Sequence, residues 1–545
     1  MTRLLAALTV ATMLAAPTMS PLGADALDDD HYLSMEFVTP HTDWGQPYAL
    51  GKIRALFFSN GRGTEPREMV ELMQRFDIEA DAVYHIRIID SANYEWLGGE
   101  AGHRRMLRLL EKPYDVYIFN RIALTSLTAE EQYKLLRRVT QGAGIVFIGS
   151  DDERVLKAEH QLKQLPPFLA VGPVGDAFAV AKGRGIRLPA RPNIVYHVGW
   201  EVEYDYWQER LGRAVLWAAG REPEVDLSVS ISRATIARSE LPAEVASVRW
   251  RNAPDDMSLE ITLRRWDGHR LQLAEPRAPV PRGDMRLRIP LLRAGDYHVD
   301  VRARSGRGVE AWATTPFTVT SPRIVEAIEL DADWGEVGDT ISGNVRLAGP
   351  PAARGESVVV RLMDRRGRIL QRRVTPGPTG VVPFQFSIEP WMPMLLRVEA
   401  VVVQENQEAA AAYAFFRVTK RHRDQWVFLV WDYPKGTLAP YGEQSLASLG
   451  TTVQLSGGSP PIQLAAYDIS WVPYTTRILS PKDENGIMKP MCWNDEAAVD
   501  RYVQQIADKY VPARQHGVYV YSLGDETVTR GSCVSPHCLR AYQNY

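Results

Sequence analysis

In the N-terminal part of the chain, short apolar runs alternate with segments in which hydrophobic residues recur at helical spacing. The apolar runs cover residues 52–58, 115–119 and 144–149, and turn-forming residues bound each of them. Such runs predict buried strands, and the segments between them predict amphipathic helices, the last of which covers residues 204–219. Strands that alternate with helices predict an open, mostly parallel α/β sheet. We therefore expect an α/β domain at residues 27–222.

After Val225 the helical spacing disappears, and short alternating strands with turn signals take its place. The Asp-Gly turn at residues 266–269 is a strong hairpin signal. Residues 364–367 occupy the corresponding place in a second set of strands, which suggests a weak internal repeat. We expect two tandem immunoglobulin-like β-sandwiches, at residues 223–320 and 321–420.

The α/β pattern returns after Arg423. Residues 425–431, 452–455, 467–472 and 518–523 read as successive buried strands, with helical segments between them. Four βα units that begin a parallel sheet predict the first half of a (β/α)8 barrel at residues 421–545. A complete barrel takes about 250 residues. We therefore expect a C-terminally truncated sequence, or a gene product that ends within a domain. The predicted fold class is thus multidomain α/β plus all-β.

The N-terminus has the pattern of a signal peptide. Arg3 precedes an apolar run at residues 4–16, which is too short to span a bilayer, and Ala24–Ala26 fits a small-x-small cleavage site. Residues 1–26 are expected to be removed, which predicts a periplasmic or secreted protein without a transmembrane segment. The formal net charge of −3 gives no reason to expect nucleic acid or an anionic membrane as a partner.

The last predicted strand leads directly into two adjacent carboxylates, Asp525 and Glu526. A carboxylate at the carboxyl end of a barrel strand lies where (β/α)8 barrels have their catalytic residues. The alternative is an exposed loop that carries two ordinary acidic residues.

The segment from Trp426 to Tyr545 resembles the first half of a clan A glycoside hydrolase barrel, and within that clan it is most similar to glycoside hydrolase family 42, the β-galactosidase group. That family has an Asn-Glu pair after its fourth strand, then a cysteine-rich loop and a helix. Here the pair is Asp525–Glu526, and the loop covers residues 533–538. The resemblance implies a retaining glycosidase with Glu526 as general acid/base and Asp525 in the substrate site.

Three departures from the family affect this interpretation. Asp525 replaces the usual asparagine, and a negative charge there would raise the proton affinity of Glu526, as an acid catalyst needs. The alternative is that Asp525 indicates a different substrate or a lost activity. The barrel also follows the other domains instead of preceding them. Glycoside hydrolysis with retention of the anomeric configuration needs two carboxyl groups about 5–5.5 Å apart. The nucleophile is expected beyond Tyr545, so the chain alone is predicted to be inactive.

The N-terminal sheet resembles the flavodoxin-like and class I glutamine-amidotransferase-like folds, and also the trimerisation domain of family 42. The resemblance implies a homo-oligomer formed through this domain. Catalytic amidotransferases place a cysteine after the strand that corresponds to residues 144–148, but the chain has no cysteine before Cys492. Ser150 lacks the glycine-framed elbow of serine hydrolases. We therefore expect a non-catalytic domain.

Aromatic and acidic residues stand at or just after the predicted strand ends of the C-terminal segment. Aromatic faces stack on sugar rings, and carboxylates bind hydroxyl groups. The candidates for carbohydrate binding, besides Asp525, are Trp431, Asp432, Tyr474 and Trp493. The alternative is that the tryptophans only pack the barrel.

All three cysteines, Cys492, Cys533 and Cys538, lie in this last segment. Family 42 has a structural zinc held by cysteines in similar places, and the resemblance implies that His537 replaces the missing fourth ligand. A disulfide from Cys492 to Cys533 or Cys538 is the other interpretation, because the protein is expected to be exported. No other cofactor is expected.

Two classes of function therefore remain open. The first is an exported glycosidase that acts on a carbohydrate. The second is a non-catalytic carbohydrate-binding or scaffold protein. The sequence does not identify the sugar or the linkage.

Overall fold

The structure of the 545-residue chain is a computed structural model. The structure describes residues 38–61, 67–87, 94–149, 160–169, 175–189, 202–274, 282–422, 425–431, 439–456, 461–473, 483–489, 491–522 and 533–545. Within these residues the protein is mixed α/β, with many strands in several sheets and few helices.

The N-terminal region forms an eight-stranded sheet. Its strands are β1 (Ile53–Asn60), β2 (Ile78–Arg87), β3 (Tyr94–Trp96), β4 (Val116–Asn120), β5 (Gly144–Ile148), β6 (His160–Gln161), β7 (Ala177–Val180) and β8 (Gly183–Leu188). The strand order is β3-β2-β1-β4-β5-β8-β7-β6. The five central strands are parallel, and β3, β6 and β7 pair antiparallel at the two edges. The predicted parallel α/β sheet is confirmed at this level.

Four helices accompany this sheet: α1 (Arg67–Arg75), α2 (Gly99–Leu109), α3 (Ala129–Gln141) and α4 (Val202–Ala218). The start of α3 follows directly from its sequence, because Thr128 and Glu131 form a capping box that satisfies the first backbone N–H groups. Alternate residues of the strands face the two sides of the sheet. One side packs against α1 and α4, and the other forms a separate apolar cluster that includes residues of α2 and α3.

The middle of the chain forms two β-sandwiches. The strands of the first are β9 (Asp226–Ile231), β10 (Thr235–Ala237), β11 (Ala243–Arg251), β12 (Ser258–Arg265), β13 (Arg270–Ala274), β14 (Gly283–Ile289), β15 (Gly295–Ser305) and β16 (Gly308–Thr320). Those of the second are β17 (Ile324–Leu330), β18 (Trp334–Glu336), β19 (Thr340–Ala348), β20 (Ser357–Asp364), β21 (Ile369–Pro376), β22 (Val381–Ser387), β23 (Leu395–Gln404) and β24 (Gln407–Thr419).

The two sandwiches repeat one topology. The first has a five-stranded sheet β10-β16-β15-β12-β13 and a three-stranded sheet β14-β11-β9, and the second has β18-β24-β23-β20-β21 and β17-β19-β22. Each short parallel pairing also recurs, because β10 pairs with β16 as β18 pairs with β24. The hairpin turns at Gly268 and Gly367 hold the same place, and both glycines have a positive φ. The internal repeat suggested by the two turns is therefore present in the strand order.

The C-terminal segment contains β25 (Leu429–Val430), α5 (Ala439–Ser448), β26 (Val453–Ser456), α6 (Pro461–Ala466), β27 (Ser470–Pro473), α7 (Glu496–Tyr510) and α8 (Pro536–Asn544). The three strands are parallel, in the order β25-β26-β27. Val518 continues this order through a parallel bridge to Trp471. The described part of this segment thus consists of successive strand–helix units whose carboxyl ends lie along one edge.

Two predicted strands of this segment differ from the structure. Residues 425–431 are not a near-continuous buried strand, because β25 is two residues long and Trp426 is 89% exposed. In the stretch after Gly517, Val518 is buried, but Val520 and Tyr521 are 47% and 40% exposed. The exposure of these residues follows from the position of the two stretches in the sheet. Both stretches lie at the edges of the described sheet, where a strand has a neighbour on one side only.

Among the described residues, no helix combines the length and the apolar character that crossing a bilayer requires.

Candidate functional site

The carboxyl edge of the C-terminal parallel strands is the first candidate site. Trp431 follows β25 there, and its side chain is 62% exposed. Trp493 precedes α7 and is 42% exposed. Both rings are therefore accessible to a ligand, which is what a sugar-stacking role requires and a packing role does not.

The other residues that the sequence assigns to this edge lie outside the described residues. They are Asp432, Tyr474, Asp525 and Glu526. Their roles stay predictions.

The three cysteines form the second candidate site. Their sulfur atoms lie within 4.8 Å of one another, and Cys492 Sγ is 3.4 Å from Cys538 Sγ. Both the zinc and the disulfide interpretation require sulfur atoms this close together. No disulfide joins them in the structure, in which all three are free thiols.

Two helix starts bring the thiols together. Asp495 caps α7 by accepting a hydrogen bond from Ala498 N, which fixes the loop that carries Cys492. Ser535 caps α8 by accepting from Cys538 N, 3.2 Å away, and its Oγ also lies 2.8 Å from Cys492 Sγ. One capping serine thus holds both sulfur-bearing loops.

The surroundings shift the pKa values of two thiols, and Cys533 is more acidic than Cys538. Burial acts to raise the pKa of Cys533, but hydrogen bonds from the backbone N–H groups of Met488 and Ser535 outweigh burial and lower the pKa to about 7. The Met488 N–Sγ distance is 3.4 Å. Burial raises the pKa of Cys538. A thiolate at Cys533 beside two further thiols is a donor set that a soft divalent metal prefers.

The cluster fits zinc by its spacing. Thiolates about 2.3 Å from a tetrahedral zinc lie roughly 3.8 Å from each other, and the three sulfurs are already near that separation. His537 is not among the residues whose ligand atoms gather here, and its Nε2 lies 3.6 Å from Asp495 Oδ2. Asn494 Nδ2 donates to Cys538 Sγ at 3.3 Å, so that a polar side chain contacts the cluster besides Ser535.

A contact that the sequence did not reveal joins the N-terminal sheet to the C-terminal segment. The guanidinium of Arg67 on α1 lies over the ring of Tyr441 on α5, 5.3 Å from the ring centroid, and Val70 packs against the same tyrosine. Both α1 and α5 begin after the carboxyl end of a parallel strand. Nothing in the local pattern of either helix points to the other, so only the three-dimensional structure could show this pairing.

Comparison with known proteins adds little. No protein-family model matches this chain, and no curated protein sequence does. Among solved structures, a tetra-tandem repeat from the extending region of a large adhesion protein is 15% identical over 35% of this chain and 49% of that chain, with a TM-score of 0.17. The β-glucuronidase of Parabacteroides merdae is 10% identical over 55% of this chain and 46% of that chain, with a TM-score of 0.21.

The chain thus spans about half the length of each of these two structures.

Proposed function

We propose that this protein is an exported glycoside hydrolase, similar to the β-galactosidases of family 42, in which Glu526 is the general acid/base of a retaining mechanism. One observation carries the proposal. The strands β25, β26 and β27 and the bridge at Val518 are parallel and adjacent, so that the carboxyl ends of these strands lie at one edge of the sheet. In barrels built from such units, that edge holds the catalytic residues.

The chemistry of the assigned residues is consistent with this role. Glu526 protonates the glycosidic oxygen while a second carboxylate, expected beyond Tyr545, attacks the anomeric carbon and takes the sugar as a covalent intermediate; Glu526 then activates the water that hydrolyses this intermediate. Asp525, its neighbour in the sequence, favours the protonated form of Glu526. Trp431 and Trp493 offer exposed aromatic faces to the sugar.

The test replaces Glu526 by Gln in the full-length protein and measures hydrolysis of aryl β-galactosides. Loss of a general acid/base lowers the rate by roughly 10² to 10⁴. The loss is expected to be smaller for substrates with a good leaving group, and added azide is expected to restore turnover and give a β-galactosyl azide. Glu484→Gln, an exposed carboxylate of the same segment, is the control. Unchanged turnover in Glu526→Gln rejects the assignment.

A non-catalytic carbohydrate-binding protein is the second candidate, and exposed tryptophans favour it. Trp391 and Trp431 are each 62% exposed and Trp426 is 89% exposed, on two different parts of the chain. Retention on immobilised polysaccharide without release of reducing sugar, and loss of retention in Trp431→Ala, would support this function over hydrolysis.

We also infer that the three-cysteine cluster binds a structural zinc. Three converging thiols support this over a disulfide, because a disulfide uses two of them and leaves the third without a role. The metal would hold the loops before α7 and α8 together.

A further inference from the structure

The N-terminal sheet has two polar residues where the surrounding positions are apolar. Ser59 and Asn120 are the last residues of β1 and β4 that face α1, and they are direct partners in the parallel register. Phe57 and Ile118, the preceding pair on the same face, belong to the apolar core. Ser59 is fully buried and Asn120 is 2% exposed.

The hydrogen bonding of this pair is incomplete. Asn120 Nδ2 donates to Glu68 Oε2 at 3.0 Å, which fixes the orientation of the amide. Among the described residues, neither Asn120 Oδ1 nor Ser59 Oγ has a hydrogen-bond partner. A buried polar atom left without a partner destabilises a fold, so two of them side by side require a reason.

The position of Ser59 and Asn120 in the sheet gives a reason for two buried polar atoms without partners. The chain runs from β1 to β2 on one side and then returns across β1 to β4 on the other. The strand order therefore reverses between β1 and β4. In open α/β sheets, ligands bind outside the carboxyl ends of the strands at this reversal. Ser59 and Asn120 are the residues that β1 and β4 present there.

We propose that Ser59, Asn120 and Glu68 form a second binding site, which takes a small neutral sugar through its hydroxyl groups. Asn120 Oδ1 and the Glu68 carboxylate accept hydrogen bonds, so the ligand must donate, and Ser59 Oγ can do either. The buried carboxylate of Glu68 disfavours an anionic ligand. The site is separate from the residues assigned to glycoside cleavage, and it stands or falls independently of Glu526.

The experiment uses the full chain with D-galactose as the probe and D-glucuronate as the anionic counterpart. Hydrogen–deuterium exchange is followed with and without sugar. Galactose is expected to protect the ends of β1 and β4 and the start of α1, and glucuronate is expected not to. The protection is expected to persist in Trp431→Ala and Glu526→Gln, and to disappear in Asn120→Leu with a fall in affinity of about tenfold or more. Protection confined to the C-terminal segment would overturn the second site while leaving the proposed catalysis intact.

Ser59→Ala separates ligand binding from a structural role. Because Ser59 Oγ has no partner in the described fold, the melting temperature of the sugar-free protein should match that of the exposed control Ser387→Ala, while the stabilisation by galactose is lost. A clear drop in melting temperature for sugar-free Ser59→Ala would show that the hydroxyl is satisfied within the fold, and would overturn the proposal.

Discussion

Asp205 of α4 and Arg264 of β12 form a fully buried ion pair, with 2.5 Å between Oδ2 and Nη1, that joins the N-terminal sheet to the first sandwich. The other Asp205 oxygen accepts from Arg75 Nε at 2.6 Å, and Arg264 Nε lies 3.3 Å from Asp300 Oδ2. Burial opposes the ionised form of Asp205, but Arg75 and Arg264 outweigh it and lower the pKa of that carboxyl. The two domains are therefore held by a charge network and not by apolar packing alone.

Replacing Arg264 by Ala is expected to destabilise the protein by about 3–5 kcal/mol, because the change leaves Asp205 and Asp300 with too few partners in a buried site. Urea unfolding with hydrogen exchange at α4 and β12 measures the loss. Arg346→Ala, whose partners Glu326 and Glu329 are exposed, is the matched control and should cost about 0–1 kcal/mol. Equal effects in the two variants would contradict a structural role for the buried network.

His516 makes the junction between the second sandwich and the C-terminal segment sensitive to mild acid. Its Nδ1 accepts a hydrogen bond from Arg417 Nη1 at 2.9 Å, which requires a neutral ring. Burial, and then the charge of Arg417, lower the pKa of His516 from 6.5 to about 4. The unfolded chain therefore binds more protons between these values, so stability is complete above pH 6.5 and falls as the pH drops towards 4. The urea midpoint should fall over this range, and His516→Gln should make the fall shallower without abolishing it, because burial also lowers the pKa values of His298 and His85.

Glu336 makes the stability of the same junction depend on pH in a second range, which lies below that of His516. Hydrogen bonds from Arg421 and Arg514, at 2.7 and 2.9 Å, lower the pKa of Glu336 from 4.5 to about 2. Its contribution is present above pH 4.5 and is lost as the pH falls towards 2. Glu336→Gln should flatten the stability profile below pH 4.5 and leave the His516 range unchanged. If the profile between pH 6.5 and 4 also flattened, the two groups would not act separately.

The periodicity of the chain predicted β1, β4 and β5 of the N-terminal sheet and the hairpin turns of both sandwiches, since these depend on local apolar runs and turn residues, but it did not predict β2, β3, β6, β7 or β8. It did not predict the exposure of Trp426, because an apolar pattern records the character of a strand and not whether another strand covers it. The pairing of Asp205 with Arg264 was equally invisible, as the two are far apart in the sequence and each is an ordinary charged residue. The clustering of the cysteines was predictable, while the position of His537 depended on Asp495, a helix cap that no ligand pattern includes.

Gly212 of α4 tests the packing of α4 against the end of α1. A Cβ at this position would lie 2.0 Å from Cζ of the buried Phe76 ring, so Gly212→Ala must displace the ring or the helix. We expect a loss of about 1–3 kcal/mol, despite the higher helix propensity of alanine. Gly380→Ala, where no atom lies within 4 Å, is the control and should be close to neutral. An unchanged urea midpoint for Gly212→Ala would mean that α4 is not packed as described.

One set of measurements on the three-cysteine cluster distinguishes a bound metal ion from a disulfide. If zinc bridges the three sulfurs, the purified protein carries about one zinc per chain, a chelator lowers its melting temperature, and a reductant does not. Cys533→Ser removes the most acidic of the perturbed thiols and should abolish zinc binding, whereas a disulfide between Cys492 and Cys538, whose sulfurs are 3.4 Å apart, would survive that change. His537→Ala should retain zinc, because the ring faces Asp495. Stability that responds to reductant and not to chelator, with zinc absent, would assign the cluster to a disulfide.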